Sequence, residues 1–178
     1  MKLRFPLAGR AVLRAFPAAV ALALAFAPLG CNRKANAPHE LSVVRMGDPQ
    51  GQTQLVSGFY PIEAGMWRWT KQQFSVALAP PPGAAQKGAW LRVRVTVPDA
   101  LIAKEGTVTL AASIAGQNLP PETYSAAGAY TYERDVPASL LQGESAKVDF
   151  ALDKVMAPAG GDLRDLGIVV RSAGLEPK

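Results

Sequence analysis

The residues best suited to chemistry lie in one aromatic-rich stretch, Gly58-Phe59-Tyr60-Pro61-Ile62-Glu63-Ala64-Gly65-Met66-Trp67-Arg68-Trp69-Thr70. On an extended strand side chains alternate, so Trp67 and Trp69 face one way and Arg68 the other. Flat indole faces beside charged hydrogen-bonding groups suit a saccharide cleft, with rings against sugar C–H groups and Arg68 and Glu63 on hydroxyls. The competing arrangement sends both tryptophans into a core and bonds Arg68 to Glu63 or a loop carbonyl. The pattern favours that arrangement for the tryptophan pair. It leaves Tyr60, Glu63 and Arg68 as surface candidates.

A second group is Asp149, Asp153, Asp162, Arg164 and Asp165, around the loop Ala157-Pro158-Ala159-Gly160-Gly161. Calcium takes six to eight oxygens, but the spacing is not that of an EF-hand and Arg164 would repel the ion. A salt bridge that pins the loop is the favoured reading, and no metal site is assigned.

Glu63, Glu122 and Glu133 could supply a glycosidase pair, yet nothing in the sequence pairs them. There is no Gly-x-Ser-x-Gly elbow, P-loop or zinc motif. The only histidine, His39, lies in a polar stretch without a partner. No enzyme and no cofactor are expected. Tyr130 and Tyr132 share a face and are expected to pack into a core with their hydroxyls at its rim.

Elements of period two must position these groups. In Trp90–Val97, Leu91, Val93, Val95 and Val97 form one face and Trp90, Arg92, Arg94 and Thr96 the other. Thr107–Ile114 alternates likewise. Further strands are marked by Phe74, Val76 and Leu78, by Tyr130 to Val136, by Val148, Phe150 and Leu152, and by Leu166, Ile168 and Val170. Shorter candidates are Leu41–Val44, Gln54–Tyr60 and Met66–Thr70. Three prolines make Ala79–Gly83 a loop. Ala115-Gly116-Gln117-Asn118 reads as a hairpin turn. Leu119-Pro120-Pro121-Glu122 and Ala126-Ala127-Gly128 read as breaks. Asp99–Lys104 and Ser139–Gln142 could each form a turn or two of helix. Eight or nine short strands joined by turns predict an all-β, two-layer antiparallel sandwich of jelly-roll type over residues 41–178, with a closed barrel as the alternative. The solvent-facing stripe Trp90, Arg92 and Arg94 is a candidate protein-contact surface, because Trp and Arg are enriched at interface hot spots.

Residues 1–30 carry Lys2, Arg4, Arg10 and Arg14 and no acid, with an apolar run from Ala15 to Leu29. This is the layout of a secretory signal, and it is shorter than a membrane span needs. The run ends Ala27-Pro28-Leu29-Gly30-Cys31, which resembles the lipobox of bacterial lipoprotein precursors. That resemblance implies a diacylglycerol on Cys31, cleavage before it, and a tether over residues 31–40. Pro28 stands where the family usually carries leucine, which leaves an ordinary secretory signal cut nearby as the alternative. Asn32 lacks the aspartate that marks inner-membrane retention in such lipoproteins, so outer-membrane sorting is implied.

The whole chain has 19 basic and 14 acidic residues, and four of the basic ones belong to this leader. The chain beyond the leader is nearly neutral, so net charge gives no case for nucleic-acid binding.

Gly58-Phe59-Tyr60, Trp67-Arg68-Trp69-Thr70, Val136-Pro137 and Asp162-Leu163-Arg164-Asp165-Leu166-Gly167-Ile168, in that order, resemble a β-sandwich module of bacterial envelope proteins. The pattern is similar to accessory domains beside some glycosyltransferases, and in general shape to jelly-roll carbohydrate-binding modules. The resemblance implies a non-catalytic, membrane-anchored lipoprotein that binds glycan or polysaccharide in the envelope. In such a pattern the Asp-x-Arg-x-Leu-Gly residues tie loops at one end of the sandwich. The alternative is an assembly factor that binds another envelope protein.

Overall fold

A computed structural model describes residues 39–178. The leader and Cys31 lie outside the described residues. The described residues form nine strands: β1 (Val43–Arg45), β2 (Leu55–Phe59), β3 (Arg68–Leu78), β4 (Ala89–Val97), β5 (Val108–Ile114), β6 (Gln117–Tyr124), β7 (Gly128–Val136), β8 (Ala146–Leu152) and β9 (Val169–Pro177). Two short helices, α1 (Ala84–Lys87) and α2 (Asp99–Glu105), and two 3₁₀ turns sit in the connections. Among the described residues no helix is long and apolar enough to cross a membrane.

Every ladder is antiparallel. One layer runs β1-β9-β4-β7 and the other β2-β3-β8-β5-β6. Strand β3 belongs to both layers. Its first residues, Arg68 and Trp69, pair with Val170 and Val169 of β9, and its later residues pair with β8. The strand orders β1-β9-β4-β7 and β3-β8-β5-β6 are those of a jelly roll. The chain is therefore an all-β sandwich, as the alternation predicts.

The two-residue period places the core. In β4 and β5 alternate residues are buried, Leu91, Val93, Val95 and Val97 facing Val108, Leu110, Ala112 and Ile114. Tyr132 of β7 is fully buried, and Phe74 and Phe150 stack 4.8 Å apart. Leu101 of α2 and Leu141 are buried in the same core cluster.

Three features depart from what the sequence pattern predicts. Strand β3 is continuous over Arg68–Leu78, where two separate runs are expected. Its exposed Lys71, Gln72 and Gln73 mark the crossing between layers. The register of β2 against β3 jumps there, from Ser57↔Ser75 to Phe59↔Thr70. Gly58, at φ 76°, makes the crossing possible. A Cβ at that position would lie 2.0 Å from the Gln73 carbonyl oxygen and 2.5 Å from Phe74 Cα.

Pro120-Pro121, expected to break the chain, lies within β6. The strand is at the sheet edge, paired on one side with β5. Proline is tolerated there because no ladder needs its missing N–H. The seam between β6 and β7 is closed by side chains. Tyr132 Oη donates to the Pro120 carbonyl at 3.0 Å, and Arg134 donates to the Pro120 and Pro121 carbonyls.

The last strand runs to Pro177, well past the expected Leu166–Val170. A bulge at Arg171 shifts the inward phase from Ile168 and Val170 to Ala173 and Leu175.

Candidate functional site

The aromatic stretch forms a hairpin. Glu63 bridges to Trp67, and Met66 N–H donates to the Glu63 carbonyl at 3.1 Å. Ala64 and Gly65 lie at φ 50° and 67°, the two left-handed positions of a tight hairpin turn. The returning arm runs through Trp67 into β3, and alternation puts Trp67 and Trp69 on one side.

Register shows which side. Trp69 pairs with Val169, and Val169 with Thr96 of β4. Thr96 alternates with the buried Val95 and Val97, so this row lies on the outer face of the β1-β9-β4-β7 layer. The expectation that the tryptophans fill the core is corrected here. Both are half-buried, and neither belongs to the core cluster or to the hydrophobic residues packed against it. Strand β3 meets β9 at the margin of the layer, where an outward residue has no second sheet above it. The rings meet edge to face, 6.1 Å apart at 81°. They form a stepped ledge of two planes.

The polar candidates beside them are engaged within the protein. Arg68 Nη1 donates to the Tyr60 carbonyl at 2.9 Å and Nη2 to Gln52 Oε1 at 2.5 Å. Its Nε is buried without a partner, and desolvation lowers the guanidinium pKa. Arg68 thus clamps a loop carbonyl, one of the two partners expected of it, and is not bonded to Glu63.

Glu63 pairs with Arg164, whose Nη1 lies 2.9 Å from its Oε1. Arg164 also forks onto Asp162 and stands over the Tyr60 ring at 5.2 Å. Tyr60 Oη donates to the Asp165 carbonyl at 3.0 Å, and Lys71 Nζ sits 5.7 Å from the same ring. The hydrogen bonds from Arg164 hold the Asp162 carboxyl below the usual aspartate range. Those from Asp162 and Glu63 raise the guanidinium. This network pins the 153–167 loop to the hairpin.

The remaining acids of the second group are dispersed. Asp149 pairs with Lys147 at 2.8 Å, and Asp153 Oδ1 accepts from Thr109 N–H. Among the described residues no group of three His, Cys, Asp or Glu is arranged to hold a metal ion.

The Trp90, Arg92 and Arg94 stripe faces outward as its alternation predicts, but its members differ. Arg92 is held between Glu133 of β7 and Glu176 of β9, at 2.5 Å each, which raises its pKa. Trp90 is half-buried, with Lys178 Nζ 5.8 Å from its ring. Arg94 is exposed.

Two further surfaces are not legible in the sequence pattern. On the outer face of the opposite layer, a groove of about 430 Å³ crosses the strands. Its floor is one register row, Ser57–Ser75–Asp149–Ser113–Asn118. The Ser57 and Ser75 hydroxyls are 2.7 Å apart. These residues come from five strands, most of them distant in sequence, so no local motif announces the row. The second surface, beside Arg94, is an open groove of about 460 Å³ lined by Arg45, Gly47, Asp48, Met66, Arg171 and Ser172, among others.

The fold defines a jelly-roll β-sandwich module. No protein-family model and no curated sequence matches the chain. Solved structures to which it is similar include a family GH115 4-O-methyl-α-glucuronidase with specificity for decorated arabinogalactans, at TM-score 0.44 and 11% identity. The similarity covers 86% of this chain and 19% of that one, so the chain spans about a fifth of the enzyme's length. A CBM4 protein is similar at TM-score 0.38 and 13% identity, over 83% of this chain and 93% of that one.

Proposed function

We propose that the protein is an exported, lipid-anchored, non-catalytic module that binds polysaccharide on the outer face of its β1-β9-β4-β7 layer. The observation that carries this reading is the position of Trp67 and Trp69. Two indoles held at the sheet margin, outside the core, supply apolar planes for sugar C–H groups. Anchoring at the outer membrane through Cys31 rests on the lipobox resemblance and on Asn32. The protein-docking alternative along Trp90, Arg92 and Arg94 has less to stand on, since Arg92 is already matched by two carboxylates.

Pull-down of the full chain from detergent on immobilised polysaccharides tests the binding. Retention by at least one polymer, competed by its soluble form, is expected, and retention by none across a broad panel overturns it. Mass spectrometry of the mature N-terminus tests the anchor, with a diacylglyceryl mass on Cys31 expected. An unmodified terminus cut elsewhere contradicts it.

A further inference from the structure

We propose that the saccharide bound on this face is anionic, a carboxylate-bearing polysaccharide held by Arg45, Arg94 and Arg171 beside the tryptophan ledge. This inference rests on the polysaccharide reading above and narrows it to a substrate class.

The described residues contain seven arginines, which divide sharply. Arg68, Arg92, Arg134 and Arg164 each bond to named carboxylates, carbonyls or amides. Arg45, Arg94 and Arg171 are exposed, and among the described residues none has a carboxylate within ion-pair distance. Residues 1–38 contain no Asp or Glu, so that stretch supplies no counter-charge either. Asp48, which lines the groove, accepts from Gln50 N–H at 2.9 Å and makes no ion pair among the described residues.

The three cations are brought together by the fold. Ser172 of β9 pairs with Arg45 on one side and with Arg94 on the other, so both arginines lie in a single row. The bulge in β9 inserts Arg171 beside that row, and bulges re-aim side chains in this way. Arg94 and Arg171 line the groove of about 460 Å³ and also a second of about 340 Å³ toward Tyr130 and Thr131. Like charges so placed repel one another and stabilise nothing in the fold, so an external anion is what the arrangement fits.

Chemistry narrows the anion. The planar guanidinium grips a carboxylate through two parallel N–H donors. Arg45 and Arg94 stand two interstrand spacings apart, about 10 Å at the backbone. That separation compares with the length of a disaccharide and suits charges repeated along a polymer. A single phosphate would need donors converging on one point. The row of Trp69, Val169 and Thr96 lies two residues further along β4, about 7 Å away. Exposed Met66 lines the arginine groove from the tip of the same hairpin that carries Trp67. A chain of acidic sugars could thus meet guanidiniums and apolar planes in succession.

The test is affinity electrophoresis of the full chain in neutral detergent, through gels containing polygalacturonate, alginate or hyaluronate, at low salt and at roughly 0.3 M, where surface charges are strongly screened. Methyl-esterified polygalacturonate is the neutral comparison, and dextran sulfate and polyphosphate are the other anionic sources. At least one carboxylated polymer is expected to bind at least tenfold more tightly than the neutral ester, with salt weakening it. The double variant Arg94→Gln/Arg171→Gln should lose at least tenfold, Arg94→Lys/Arg171→Lys should keep part of the binding, and Lys104→Gln on α2 should keep it all. Among the described residues the replaced arginines have no side-chain hydrogen-bond or ion-pair partner, and thermal unfolding checks that each variant is folded.

Equal binding of acid and ester, indifference to the double variant, or binding only to dextran sulfate or polyphosphate overturns the inference. Neutral-polymer binding that is insensitive to the arginines overturns it while leaving the polysaccharide reading intact. Binding to no polymer, charged or neutral, overturns both.

Discussion

The Arg164 guanidinium lies 2.9 Å from the Glu63 carboxylate and joins two segments 101 residues apart in sequence. One segment is the hairpin that carries Trp67 into β3, and the other is the loop between β8 and β9. Arg164 also holds Asp162 and covers the Tyr60 ring, so one guanidinium positions the base of the aromatic ledge. Replacing it with methionine should speed amide exchange in residues 156–166 and around 60–67, with little change in the β4–β5 core. Uniform change across the domain would refute this local role.

Acid should loosen the same tie. The Asp162 carboxyl is held below its ordinary value by hydrogen bonds from Arg164. Its contribution is fully present above the unfolded-state value of about 3.9 and is lost as pH falls through the lower folded value. Loop protection, corrected for the intrinsic exchange rate at each pH, should therefore be flat from about pH 7 to 5 and fall below about pH 4. An Asp162→Asn variant should lack that acid step. A step near neutrality in the native protein would contradict the assignment.

Gly58 fixes how β3 changes layers. Alanine there combines a left-handed φ with contact against backbone atoms that cannot move aside. Gly58→Ala should cost about 2–4 kcal/mol in denaturant unfolding, high among point substitutions. A cost below about 1 kcal/mol, as for an ordinary surface residue, would mean the crossing is not built on this contact.

The alternating runs were legible because one face of each strand is buried and the other wet, as in Trp90–Val97. Legibility failed where that rule is broken locally. The bulge at Arg171 reverses the phase of β9, so its second half no longer follows the pattern set by Ile168 and Val170. Pro120-Pro121 reads as a break because an edge position, which tolerates proline, is a tertiary fact. Period two alone favours the tryptophans inward, because large apolar residues in that pattern usually point to a core. Only the register Trp69↔Val169↔Thr96 shows them outside. The rows Ser57–Asn118 and Arg45–Arg94 each join strands far apart in sequence, so neither could be read locally.

Turn chemistry leaves stability in reserve. Ala115 occupies a left-handed position, φ 50°, in the hairpin Ile114–Gln117. Asparagine tolerates that conformation better than alanine. Ala115→Asn should raise stability by about 0.5–1 kcal/mol, part of the roughly 1–2 kcal/mol that a left-handed residue costs. Chemical denaturation measures it, and a loss would show that the turn is held by something other than its own backbone.

The seam between β6 and β7 relies on Tyr132 and Arg134. Tyr132→Phe removes one donor to the Pro120 carbonyl, which Arg134 still serves, and should cost about 1 kcal/mol. Tyr132→Phe together with Arg134→Met should cost more than the two single changes added, because the carbonyl then loses both partners. Strict additivity in the double-mutant cycle would argue against a shared acceptor.

The proposed function requires that saccharide contact the Trp67–Trp69 ledge and not the polar groove across the opposite layer. The direct measurement compares the affinity of the full chain for the polysaccharide it retains best with that of Trp67→Ala/Trp69→Ala and of Asp149→Ala, each shown to be folded. A loss of at least tenfold in the tryptophan variant, with Asp149→Ala unchanged, is the predicted result. Unchanged binding without the tryptophans would remove the ledge from the site, and loss on removing Asp149 would place the site on the other face; either result contradicts the proposal.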